Sequence, residues 1–155
     1  SDTIFNNITL FNDNISESQV WDSIDQVGAR RFIEALPNKL NFNVKERGAS
    51  LSVGQRQLIS CIRIMLYDPK IILLDEATSS VDSETESMIQ SAISKILKNR
   101  TSIVVAHRLS TIKEVDNIIV LENGEIKEIG DHNSLNKSGG YYRRLYEMQN
   151  KNILT

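Results

Sequence analysis

Apolar positions recur with a helical period in several stretches of this chain and run together or alternate in others. From Ser18 to Leu36, Val20, Trp21, Ile24, Val27, Phe32, Ile33 and Leu36 fall at mixed three- and four-residue steps. That spacing predicts helical-hairpin material broken near Gly28 and ended before Pro37. A polar connector, Asn41 to Gly48, leads to a second apolar-periodic run, Gln55 to Leu66, preceded by Ser52 and stopped by Asp68-Pro69. Ile71 to Leu74 are four consecutive apolar residues and predict a short buried strand ending in Asp75-Glu76. Ser83 and Glu86 have capping-box spacing at the start of another helix, expected to run to about Lys98 with Met88, Ile89, Ala92, Ile93, Ile96 and Leu97 inward. Thr101 to Ala106 is a second β-branched strand, ending in His107-Arg108. Asn117 to Glu122 and Glu125 to Ile129 flank Asn123-Gly124, a strong hairpin signal, and Tyr141 to Asn150 closes the chain as a helix.

Composition narrows the possibilities. A chain of 155 residues is one domain's worth and buries about two-thirds of its unfolded surface. A formal net charge of -2 gives no electrostatic footprint for nucleic acid or an anionic membrane. Cys61 is the only cysteine, which excludes an internal disulfide and a thiolate metal cluster. Its neighbours Ile59, Ile62 and Ile64 predict a small buried apolar role. No apolar run reaches the roughly 18 residues of a membrane span, and the N-terminal residues lack the features of a signal peptide.

Two segments carry candidate chemistry. Consecutive strand residues point to opposite faces, so Asp75 and Glu76 end in different environments. Ligands of parallel α/β sheets gather beyond the carboxyl ends of strands. The pair therefore reads either as a metal-holding acid beside a water-activating one, or as a strand end entering a solvated loop. Leu51-Ser52-Val53-Gly54-Gln55 precedes a long amphipathic helix. A hydroxyl, exposed N–H groups and a glycine at a helix N-terminus suit an anion, although the segment taken by itself favours Ser52 as a plain N-cap. His107, at a strand end like Asp75 and Glu76, would face the same site if the two strands are neighbours. His132, after the hairpin, is assigned a structural role.

Taken in order, these segments are Leu51-Ser52-Val53-Gly54-Gln55, then twenty positions (75 minus 55) to a strand ending Asp75-Glu76, then Ala77-Thr78-Ser79-Ser80-Val81-Asp82, then a strand ending His107-Arg108-Leu109-Ser110. The series closely resembles the nucleotide-binding domain of ATP-binding-cassette (ABC) transporters of the exporter type. Residues 51–55 match that family's signature motif, 71–76 its Walker B strand and glutamate, 79–82 its D-loop and 107 its switch histidine. The resemblance implies an α/β fold: the C-terminal half of a P-loop NTPase (RecA-like) core with an α-helical subdomain at its N-terminal side. Residues 1–66 would form the helical subdomain ending in the signature helix, and 67–155 the second half of the ATPase core.

The resemblance also implies roles, with ATP and Mg²⁺ as cofactors. Asp75 would hold Mg²⁺ through water, Glu76 would act as general base on the attacking water, and His107 would contact the γ-phosphate. Ser52, Val53, Gly54 and Gln55 would meet nucleotide bound to a second nucleotide-binding domain in a head-to-tail dimer, with Ser79, Ser80, Val81 and Asp82 crossing that interface. Glu46-Arg47-Gly48 is similar to the short loop with which exporters touch their transmembrane domain. Val53 departs from the family pattern, which usually has a glycine there. The implied setting is the cytoplasmic face of the plasma (inner) membrane, as part of a membrane protein, with no nucleic-acid partner. Two other functions are a soluble ABC ATPase acting on nucleic acid or ribosomes, and a non-catalytic partner half. The exporter-like loop and the absence of basic surplus disfavour the first; the presence of Glu76 and His107 disfavours the second.

No glycine of the seven is followed by lysine, so these residues contain no Gly-x-x-x-x-Gly-Lys phosphate cradle. By the resemblance, the chain is expected to begin just past the family's glutamine loop and to be inactive alone.

Overall fold

The computed structural model describes residues 2–75, 81–98, 100–106, 112–113 and 115–152. They divide into two compact units, residues 1–74 with 78–103 and residues 75–77 with 104–155.

The first unit is mainly helical. Thr3 caps helix α1 (Ile4–Thr9) by accepting from the Asn6 N–H. Ser16 caps α2 (Glu17–Val27) in a full capping box: its hydroxyl accepts from the Gln19 N–H at 3.3 Å, and the Gln19 side chain accepts from the Ser16 N–H at 2.8 Å. Gly28, at φ 82°, ends α2 in the left-handed conformation that a glycine adopts without a Cβ penalty. Helix α3 (Arg30–Ala35) stops at an extended Leu36, the residue immediately before Pro37. Two 3-10 turns, Lys39–Asn41 and Glu46–Gly48, shape the connector. The hairpin expected between Ser18 and Leu36 is thus present, broken and ended where the sequence indicates.

Helix α4 (Val53–Tyr67) begins two residues before its apolar period and ends at Asp68, left-handed at φ 43°. Long-range ties hold it to α1, with Arg63 Nε donating to the Asn7 carbonyl and Tyr67 Oη to that of Thr9. Helix α5 (Ser83–Leu97) follows strand β1 (Ile71–Asp75). Its cap is Asp82, whose carboxylate accepts from the Thr85 N–H at 2.9 Å, rather than the expected Ser83. Asp ranks with Ser as a cap, and capping at Asp82 admits Ser83 to the first turn.

Ile4, Ile8, Val20, Ile24, Ile33, Leu58, Ile62, Ile89 and Ala92 form the heart of this core, each at most 2% exposed. Cys61 is buried beside them and free. Burial pushes its thiol pKa up to about 11, so it is inert at neutral pH, as its apolar neighbours indicate.

Strand β1 and strand β2 (Thr101–Val105) are hydrogen-bonded neighbours. The expectation of a buried β1 needs correction. Ile72 is 4% exposed, whereas Ile71 and Leu73 are 65% and 75% exposed, and Ile103 and Val105 of β2 are exposed as well. In β1, alternation sends Ile72 into the core and leaves Ile71 and Leu73 on an uncovered face.

In the second unit, strands β3 (Ile118–Glu122) and β4 (Glu125–Gly130) form the expected antiparallel hairpin, with an irregularity between Val120 and Leu121. Asn123 and Gly124 both take positive φ, 52° and 78°, as a type I′ turn requires. Asp131 caps helix α6 (His132–Ser138), and helix α7 (Tyr141–Asn152) follows. Val120, Leu135 and Tyr142 form a small core. His132 Nδ1 lies 2.7 Å from Tyr142 Oη, in keeping with its structural assignment. No helix among the described residues is long and apolar enough to cross a membrane.

Candidate functional site

The segment Leu51–Gln55 is built around the start of α4. Ser52 is extended, at φ -64° and ψ 166°, and its hydroxyl accepts from the Gln55 N–H at 3.2 Å. The Gln55 side chain accepts in return from the Ser52 N–H at 2.9 Å. This closed capping box fixes the entry angle of the chain and leaves the N–H groups of Val53 and Gly54 at the head of the helix, where the backbone has no intrahelical partner for them. Partial positive charge gathers at that end. Ser52 and Val53 are exposed, Gln55 is half-buried and Gly54 is buried. Cap and anion site are therefore compatible roles here, because capping leaves this end of the helix open to solvent.

What buries Gly54 is the start of α5. A Cβ built on Gly54 would lie 2.5 Å from Thr85 Cγ2 and 2.7 Å from Val81 Cγ1. The sequence reading placed Gly54 and Val81 in separate motifs, and the fold brings them into direct contact. Thr85 was missed altogether. It has no place in a motif, and the signal that finds it is a glycine buried in the first turn of a helix, where nothing about local backbone conformation calls for one.

At the other end of this contact, Asp82 caps α5. The Thr85 N–H, hydrogen-bonded to its carboxylate, holds its pKa below the ordinary aspartate value, so it is ionised at neutral pH. Asp75 ends β1 as an exposed carboxylate. Glu76, Ser79, Ser80 and His107 lie outside the described residues.

Behind the α4 N-terminus, the Glu46–Gly48 turn is held to the same helix. Arg56 Nη1 donates to the Leu51 carbonyl at 2.7 Å and to that of Gly48 at 3.4 Å. Gly48 has φ 69°, and a Cβ there would meet Arg56 Cδ at 2.9 Å. A cavity of about 300 Å³ opens beside this turn, lined among others by Asn7, Lys45, Leu51, Arg56, Ile59 and Arg63. Three cationic side chains and no acidic one line it.

Comparison with known proteins bears on all of this. The family model described as "ABC transporter" matches residues 1–79. A probable multidrug resistance ABC transporter ATP-binding/permease protein of Bacillus subtilis is 44% identical over 149 residues, covering 96% of this chain and 22% of that protein. An ATP-dependent lipid A-core flippase of Shewanella oneidensis is 45% identical over 150 residues, covering 96% of this chain and 25% of that protein. Among solved structures, a bacterial Atm1-family ABC exporter with ATP bound matches with a TM-score of 0.82 and 37% identity, over 96% of this chain and 26% of that one. The chain thus spans about a quarter of the length of the curated relatives it matches.

Proposed function

Because the chain belongs to the ABC transporter family and has its P-loop NTPase fold, we propose that it is the signature-bearing portion of an ATP-binding module that powers a membrane exporter. One observation carries this: similarity to ATP-binding/permease proteins runs over 96% or more of the chain and spans the residues from Ser52 to His107. In this proposal the transmembrane domain belongs to the same transporter, the module lies on the cytoplasmic face of the plasma (inner) membrane, and residues 1–66 and 67–155 are the helical subdomain and the second half of the ATPase core.

The chemistry assigned to the chain is mostly positioning and electrostatics, as phosphoryl transfer requires. Ser52, Val53, Gly54 and Gln55 present the open head of α4 to the γ-phosphate of ATP held by a second nucleotide-binding domain. Its N–H groups and partial positive charge suit the dianionic γ-phosphate of ATP. Ser79, Ser80, Val81 and Asp82 cross the same interface. Glu76 orients and deprotonates the attacking water, and His107 contacts the γ-phosphate. Asp75, an exposed carboxylate at the end of β1, would hold Mg²⁺ through a bound water, which fits an ion that keeps several of its waters. Mg²⁺ held there would supply charge neutralisation at the transferring phosphoryl group. The Glu46–Gly48 turn, tied to α4 by Arg56, suits contact with the transmembrane domain.

The test is ATP turnover. The full-length transporter carrying these residues is expected to hydrolyse ATP at least about a hundredfold faster than its Glu76→Gln variant, the loss usual for a positioned general base. The 155 residues alone, with no phosphate cradle, are expected to match that variant. Equal turnover by the native and Glu76→Gln transporters would contradict the proposal.

A further inference from the structure

We propose that Gly54 is a positioning residue within its own chain. Its missing side chain lets the head of α4 rest directly on Val81 and Thr85, so that the signature segment and the end of the D-loop are held as one piece. This rests on the functional reading above and goes beyond it. In that reading Gly54 serves a nucleotide on the partner subunit, whereas here its lack of a side chain is required by the same subunit.

Gly54 is buried, and its backbone needs no glycine, since its φ is not among the positive values of this chain. The constraint is space. The two atoms that a Cβ would strike, Thr85 Cγ2 at 2.5 Å and Val81 Cγ1 at 2.7 Å, are methyls of β-branched side chains. Both methyls are attached directly to Cβ, so neither is the far end of a flexible side chain that could swing aside. Val81 is also packed against the main core, and the Thr85 N–H is engaged by the Asp82 cap. An added methyl at position 54 would therefore displace the head of α4.

Position 53 makes the opposite case. Val53 is 40% exposed. Two adjacent positions thus differ in their surroundings: the side chain at 53 is open to solvent, whereas one at 54 would meet Val81 and Thr85.

The consequence is mechanical. Ser52 and Asp82 flank the Gly54 contact as caps of α4 and α5, so a shift in the D-loop moves the signature segment with it. Both elements are proposed to engage the partner subunit, and the contact sets their relative position before that engagement.

The experiment compares Gly54→Ala in two backgrounds of the full-length transporter, native and Val81→Ala/Thr85→Ser, which removes both methyls and keeps the Thr85 hydroxyl. The readouts are turnover per titrated ATP site, KM for ATP and the thermal midpoint. In the native background Gly54→Ala is expected to lower turnover per site about tenfold or more, with KM within about twofold, because the contact is made away from the nucleotide's own cradle. In the relieved background the same substitution is expected to cost less than about threefold, and its effect on the thermal midpoint should shrink in parallel. Equal losses in the two backgrounds overturn this inference, since glycine would then matter only for approach of the phosphate. A loss of titrated sites with native turnover at those remaining also overturns it, by making Gly54 merely structural. A native transporter no faster than its Glu76→Gln variant overturns the functional reading itself, while the thermal arm still reports on the packing.

Discussion

At the scale of single residues, Ser52 shows how one side chain serves two ends. Its hydroxyl closes the capping box with Gln55, yet it stays exposed at the head of α4. Substitutions separate the two roles. Ser52→Ala removes the cap and is expected to cost about 1 kcal/mol of stability. Ser52→Asp keeps a capping acceptor, and its charge suits the helix N-terminus, so the thermal midpoint should stay near the native value. The same charge would repel a phosphate, and ATP turnover of the transporter should fall to background. Turnover that follows stability across both variants would reduce Ser52 to a cap. The capping spacing of Ser52 and Gln55 is readable directly from the sequence. The seat of Gly54 on Thr85 is not, because the two are 31 positions apart (85 minus 54) and only the fold joins them.

At the scale of elements, the long periodic helices were legible, and so was the short α3 that continues the apolar period of α2, whereas α1 and α6 were not. α2, α4 and α5 run 11, 15 and 15 residues, enough turns for a period to show. α1 and α6, of six and seven residues, complete fewer than two turns each, and their apolar residues look no different from those of a loop. The hairpin was legible because Asn123-Gly124 meets the positive-φ demand of its turn. The burial of β1 was misjudged because four apolar residues in a row do not say whether both faces are covered within the chain.

The start of α5, one residue off the expectation, yields a prediction of its own. The Asp82 carboxyl titrates below its ordinary value because it accepts from the Thr85 N–H. A lowered folded-state pKa contributes stability that is fully present above the unfolded value of about 3.9 and is lost as pH falls through the folded value. Asn caps without titrating. The urea midpoint of the native chain should therefore exceed that of Asp82→Asn at pH 7, and the difference should shrink as pH drops below about 4. A difference that stays constant from pH 7 to 3 would rule out the carboxylate cap as its source.

At the scale of the whole molecule, the exposed apolar side chains have a common pattern. Ile71 and Leu73 alternate along β1, Ile103 and Val105 along β2, and Ile119, Leu121, Ile126 and Ile129 lie on the hairpin, each more than half exposed. Monomeric proteins rarely leave such sets of side chains open to water. In the proposed transporter, further parts of the ATPase core would cover them, in keeping with a chain that spans about a quarter of its relatives. The same scale holds the central claim, that the signature segment serves the partner's nucleotide while Asp75 and Glu76 serve their own.

ATP turnover of tandem-linked transporter dimers that carry Ser52→Asp and Glu76→Gln in two arrangements tests that claim most directly. Placed on opposite subunits, both substitutions strike the same composite site and leave the other whole, so about half of native turnover should remain. Placed on one subunit beside a native partner, they disable both sites, and turnover should fall to background. The reverse ranking, or equal activity in the two arrangements, would contradict the account.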